Sequence, residues 1–170
     1  MSFLELAKAR YSCRKLTDKP IEPEKIERIL QTAIAAPTAK NLQRYTIWAV
    51  KSPEALDKLK QTTNYTFGAA LAFVVGAHKD GAFDRPFDNK NFSDIDAAIV
   101  ATHLMLAVQD EGLGTTWVGY FDAPKLKKLF PEMQDYELIA VFPIGYPAEG
   151  AKPSNRHEDR RPLSEVVVEL

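Results

Sequence analysis

From Asp94 to Glu111 the chain runs through eighteen residues with no glycine or proline. Ile95, Ala98, Ile99, Thr102, Leu106 and Ala107 fall at helical spacing and form one inward set. Val100, Ala101, Leu104, Met105 and Val108 widen it, leaving a helix apolar around most of its circumference. Such a helix is normally buried on most sides, so it needs cover from several elements or from a second copy of the chain. Ser93 stands at its cap and Gly112 is a natural stop. The unbroken run Leu71-Ala-Phe-Val-Val75 adds a strand expected to be covered on both faces. Together they call for a layered αβ architecture with a helix packed on a sheet.

The remaining pattern fits that frame. Ser2 and Glu5 form a capping-box signature ahead of Phe3, Leu6, Ala7 and Arg10. Pro23-Glu24 opens a second helix whose apolar face is Ile26, Ile29, Leu30, Ala33 and Ile34, and Pro37 ends it. Tyr45–Val50 reads as a strand, and Ser52-Pro53-Glu54 as the start of a helix carrying Leu56 and Leu59. Residues 79–92 are polar and broken by Gly, Pro and Asn, and are expected to be a long loop or a marginal helix. Thr115–Tyr120 and Leu138–Phe142 read as strands flanking a short helix that begins at Asp122-Ala-Pro124. The segment 148–161 is polar and irregular, and Val166-Val167-Val168 is a candidate last strand. The expectation is an α+β fold in one domain, residues 1–170, with a mixed central sheet flanked by helices.

Composition narrows the function. A formal net charge of −1 offers no basic stripe for nucleic acid. Cys13 is the lone cysteine, which fits a reducing compartment. Glu5 interrupts the apolar N-terminal stretch, which does not read as a signal peptide, and no apolar run approaches the ~20 residues of a membrane span. A cytoplasmic protein with no membrane partner is expected. His78, His103 and His157 share no metal-ligand spacing with one another or with Cys13, so no metal site is expected.

Three stretches carry candidate chemistry. In an extended backbone Arg10, Ser12 and Arg14 point the same way. Two guanidinium forks around a hydroxyl suit a phosphate or a polarised carbonyl edge; pairing with surface acids is the plain alternative. Pro37-Thr38-Ala39-Lys40-Asn41-Leu42-Gln43 is a helix-to-strand connection rich in donors, although Thr38 and Asn41 also suit an ordinary turn. Gly112-Leu-Gly114 ends a helix and enters a strand, the reverse of a dinucleotide fingerprint. Cys13, alternating inward beside Ser12, reads as packing rather than as a redox thiol.

Taken in order, Arg10-Tyr-Ser-Cys-Arg14, Ala36-Pro-Thr-Ala-Lys-Asn-Leu-Gln43, Gly114-Thr-Thr-Trp-Val-Gly119, Pro143-Ile-Gly-Tyr-Pro147 and Arg160-Arg161-Pro162 resemble the nitroreductase family over nearly the whole chain. The resemblance implies FMN bound in an intertwined homodimer and hydride passed from NAD(P)H to a small, electron-poor acceptor such as a nitroaromatic or quinone, by a ping-pong cycle. It assigns the ribityl chain and phosphate to Arg10, Ser12 and Arg14, with Arg160 and Arg161 returning to the phosphate. Where some relatives carry a lysine two residues before that arginine, this chain has Glu158. Pro37, Thr38, Ala39, Asn41 and Gln43 would cover the ring from the other subunit, with Ala39 in place of a common serine and Arg44-Tyr45 in place of Pro-Trp. The main chain of Val118 and Gly119 would lie against the ring, where a missing Cβ permits close approach. Phe83, Phe87 and Phe92 are candidates to shape the acceptor pocket. No side chain is assigned as catalytic, because the cofactor carries the chemistry. A dehalogenating or flavin-reductase branch, or an FMN sensor without turnover, is the alternative reading.

Overall fold

The computed structural model describes residues 2–170. Among the described residues six α-helices and six strands follow in the order α1 (Phe3–Ala9), α2 (Pro23–Ile34), β1 (Tyr45–Val50), α3 (Pro53–Lys60), β2 (Leu71–Ala77), β3 (Asp84–Arg85), β4 (Lys90–Asn91), α4 (Ser93–Asp110), β5 (Gly114–Thr115), α5 (Ala123–Leu129), β6 (Glu137–Gly145) and α6 (Leu163–Val166), with single 3-10 turns at Ala39–Asn41 and Pro131–Met133. The main sheet has the order β1-β2-β6-β5 with antiparallel ladders. A parallel bridge from Ser12 to Thr115 at its edge makes it mixed.

β2 is buried along its whole length, as its unbroken apolar run requires. Its side chains alternate between two cores. Phe73 and Val75 join Ile29, Val100, Leu104 and Phe142 on the α2/α4 face. Ala72 and Val74 join Leu59, Leu126, Met133 and Val141 on the α3/α5 face. Fully burying one such side chain stabilises the fold by roughly 1.5–3 kcal/mol. The local signals at α1 and α3 are realised: Ser2 and Glu5 close the capping box, and Ser52 Oγ accepts from the Ala55 N–H.

Five expectations are corrected. Residues 79–92 hold a hairpin, β3–β4, rather than a structureless loop or a helix. The Arg85 fork grips Asp88, Asn89 turns the chain at φ 55°, and Phe83 meets Phe92 edge-on at 5.4 Å. Second, the strand expected over Thr115–Tyr120 is only Gly114–Thr115, resuming as one bridge from Val118 to Val141. Third, Val167 and Val168 are exposed and unpaired, and Val166 ends the short α6. Fourth, Phe92 rather than Ser93 occupies the cap of α4, and Asn91 Oδ1 accepts the Ser93 N–H. Fifth, the face of α4 buried in this chain is Ala97, Val100, Ala101, Leu104, Ala107 and Val108, while Ile95 and Thr102 are exposed. A helix apolar on nearly every side gives periodicity no phase, and the sheet selects the stripe. On α2, Ile29 and Ala33 are buried but Ile34 is 59% exposed.

Candidate functional site

The Arg10–Arg14 stretch leaves α1 as extended chain and lies alongside β5, where the Cys13 N–H donates to Thr115 O at 2.9 Å. Alternation turns Cys13 inward to full burial, against Gly114, where a Cβ would stand 2.8 Å from its Sγ. The same alternation turns Arg10, Ser12 and Arg14 outward together. They line a polar cavity of about 180 Å³ with Tyr11, Ser154, Arg156, His157 and Arg160. A broader cavity of about 490 Å³ shares Ser12, Arg14, Ser154 and Arg156 and adds Lys152.

The charge in this corner is one-sided. Among the described residues, none of Arg10, Arg14, Arg156 and Arg160 forms an ion pair. Arg14 Nη1 donates only to Ser12 O, at 3.4 Å, and Arg160 Nη1 to two backbone carbonyls, Asp159 O at 2.7 Å and Arg156 O at 3.4 Å. Four guanidiniums converging without an acid constitute an anion receptor, with forks suited to phosphate oxygens. Burial, followed by the neighbouring Cys13, pushes the Tyr11 hydroxyl up to about 12, so it stays a neutral donor in this basic corner. Arg161, by contrast, turns toward Glu165, pairing at 3.8 Å, and does not line the cavity.

Val118 and Gly119 follow directly from this edge. Val118 is buried and paired with Val141, whereas Gly119 is exposed and a Cβ there would meet nothing within 4 Å. Its backbone therefore faces open space, four residues along the chain from the Ser12–Thr115 bridge. Trp117 packs edge-on against Phe142 at 5.2 Å and serves the core.

Pro37–Gln43 sits elsewhere. Lys40, Asn41 and Gln43 all take left-handed φ near 50°, and the turn is held by Thr38 Oγ1, which accepts from Gln43 N–H, and by Asp96, which accepts from Ala39 N–H at 3.0 Å. Asp96 lies in the first turns of α4, whereas Thr115 follows its C-terminal end. Fourteen steps of helix from Asp96 to Asp110, at ~1.5 Å each, put about 21 Å between the two ends. The structure thus brings Arg10, Ser12, Arg14 and Arg160 to one cavity, which neither Val118 nor Gly119 lines, and leaves Pro37, Thr38, Ala39, Asn41 and Gln43 at the far end of the same helix.

Sequence reasoning gave Tyr11, Ser154, Arg156 and His157 no part in the pocket. The available signal was the four-residue spacing of Arg156 and Arg160. A separate cleft of about 930 Å³, between the 16–21 segment and α3, contains none of the predicted residues. Among the described residues, no group of three or more His, Cys, Asp or Glu is arranged to hold a metal, and no helix is long and apolar enough to cross a membrane.

Comparison with known proteins places this geometry. A crystal structure of a nitroreductase family protein from Clostridium difficile 630 superposes with a TM-score of 0.91 at 38% identity, covering 99% of this chain and 98% of that one. A Methanothermobacter thermautotrophicus protein, provisionally named NADH dehydrogenase/NAD(P)H nitroreductase, is 28% identical over 156 residues, covering 88% of this chain and 79% of its own. A protein from Exiguobacterium sibiricum, provisionally described as a nitroreductase and solved in complex with FMN, shares the fold at a TM-score of 0.84 and 19% identity, covering 100% of this chain and 98% of that one. The sequence model of the Nitroreductase family matches residues 7–67 and 59–146. Its match across most of the chain, on a fold that superposes end to end with a family member, establishes that this protein belongs to the nitroreductase family.

Proposed function

We propose that this protein is an FMN-dependent oxidoreductase that takes hydride from NAD(P)H and delivers it to a small electron-poor acceptor, using the two substrates in turn. The observation that carries the reading is the cluster of Arg10, Arg14, Arg156 and Arg160 around one cavity without acidic partners. A phosphate monoester carries about −1.5 to −2 charge at pH 7, which matches the receptor's need for an anion. The FMN-bound relative and the relative named as an NAD(P)H nitroreductase support the cofactor and the donor.

Arg10, Ser12, Arg14 and Arg160 would hold the phosphate and ribityl chain, and the Val118–Gly119 backbone would face the ring. Bound FMN supplies the hydride chemistry; the chain's part is to fix its position and offer donors to its polar edge. The remaining cover must come from Pro37–Gln43, which one chain places about 21 Å of helix away. A homodimer resolves this, with each copy lending its turn to the other's arginine pocket. Phe3, Leu4, Ile34, Leu163 and Val168, exposed by 59–79%, supply apolar surface for that contact.

The test is direct. Protein purified without added cofactor is expected to be yellow, to release FMN rather than FAD on denaturation, to oxidise NAD(P)H with a quinone or nitroaromatic, and to sediment as a dimer at low micromolar concentration. Colourless protein that refuses added FMN would refute the cofactor; bound FMN with negligible turnover would make it a sensor. A yellow, active 19.0 kDa monomer would refute the shared site.

A further inference from the structure

We infer that Arg156 is a phosphate-binding residue of this site, held over the anion by a tail segment that His157 pins to α1. The inference rests on the phosphate-receptor reading above.

The tail from Ser154 to Arg160 is folded by two overlapping turns. The His157 N–H donates to Ser154 O at 2.9 Å and the Asp159 N–H to Arg156 O at 3.3 Å. Arg160 reaches back, its Nη1 3.4 Å from Arg156 O. Positions 156 and 160 are thereby brought to one cavity, and Glu158 between them does not line it. The intervening acid is thus kept out of the receptor, while the cations on either side of it line the cavity.

His157 gives the segment its fixed place. Its ring Nε2 lies 3.0 Å from Lys8 O near the end of α1; a carbonyl can only accept, so Nε2 carries the proton and donates. The ring also meets Tyr11 edge-on at 6.3 Å. Arg156 itself is exposed, and among the described residues its guanidinium has neither an acidic partner nor a hydrogen bond. It lines both cavities and so stands at their junction, with its planar fork free for two phosphate oxygens. A fourth guanidinium in one small cavity is electrostatically unfavourable unless an anion balances it.

The test compares FMN with riboflavin, which lacks the phosphate, using apo-protein prepared from the full chain, with inorganic phosphate as a third probe. Arg156→Ala is expected to lower FMN affinity at least about tenfold, the size of a lost hydrogen bond to a charged group. Riboflavin affinity and the ligand-free melting temperature should stay as in the wild type. Arg156→Lys should recover part of the loss, as a point charge without the fork. Phosphate should protect the wild type against heat more than it protects Arg156→Ala. Equal losses for FMN and riboflavin, or no loss for either, would overturn the assignment while leaving the cofactor reading intact. Wild-type protein that binds inorganic phosphate in an Arg156-dependent way but rejects FMN would refute the cofactor and uphold Arg156.

Discussion

Asp96 is 2% exposed, yet only one of its carboxyl oxygens is satisfied. Oδ1 accepts the Ala39 N–H at 3.0 Å; Oδ2 is buried with no partner among the described residues. The turn it holds is conformationally unfavourable, because Lys40, Asn41 and Gln43 are non-glycine residues with positive φ, each costing about 1 kcal/mol or more except where asparagine eases it. Asp96→Ala should therefore release the turn. A lost hydrogen bond is worth about 0.5–1.5 kcal/mol, and up to ~3 when the acceptor is charged. The global cost should be smaller, since removing a buried orphan oxygen offsets part of it. Lys40 supplies the assay, being a trypsin site inside the turn that is exposed in the single chain, with cofactor-free protein used at a concentration low enough to keep the copies apart. Where cleavage follows the open population, about 1.4 kcal/mol is tenfold in rate, so cutting after Lys40 should accelerate roughly ten- to a hundredfold. The urea midpoint should shift by no more than about 1.5 kcal/mol equivalent. Asp96→Asn keeps an accepting oxygen and should cut near the wild-type rate. Unchanged cleavage in Asp96→Ala, or equal acceleration in both variants, would refute the claim that this hydrogen bond holds the turn.

Arg14→Ala should reduce FMN affinity at least about tenfold with the fold intact, read by flavin fluorescence titration; unchanged affinity would place the phosphate elsewhere. Gly114→Ala and Gly119→Ala form a contrasting pair. At Gly114 a Cβ meets Cys13 Sγ at 2.8 Å and Leu16 Cδ2 at 2.9 Å, so a destabilisation of about 1–3 kcal/mol is expected in urea. At Gly119 nothing lies within 4 Å, so stability should hold while FMN affinity falls. The Arg28 fork, bonded to Glu111 at 2.7 Å, holds that carboxyl below its ordinary value of 4.5. A depressed carboxyl pKa contributes stability above the unfolded value and loses it as pH falls through the folded one. Glu111→Gln should thus be less stable than wild type at neutral pH, with the gap closing as the pH falls below 4.5 in acid-titrated melts.

Much of the fold was legible because its signals are local. A capping serine three residues before a glutamate closes a box in α1, and Ser52-Pro53 starts α3, whatever surrounds them. Tyr45–Val50 and Leu71–Val75 were legible as strands because an apolar β-rich run bounded by breakers has few other uses. The Arg10–Ser12–Arg14 alignment was likewise readable, since period-two alternation fixes which side chains share a face.

What tertiary structure decided is where those pieces meet. Nothing in the periodicity of α4 selects Val100 and Leu104 over Ile95 and Thr102 as its buried stripe; contact with β2 and β6 does. The β3–β4 hairpin depends on Arg85 gripping Asp88 and on Phe83 meeting Phe92, contacts too irregular to register as a pattern. Arg156 reaches the pocket, and Arg161 leaves it, because turns in the tail and one bond from His157 to Lys8 set the direction of each side chain. The sequence determined which residue types and local conformations were available. Packing across 149 residues of separation, as between Lys8 and His157, determined which of them stand around one cavity, because loop closure and burial act on the whole chain at once and leave no mark within a short window of it.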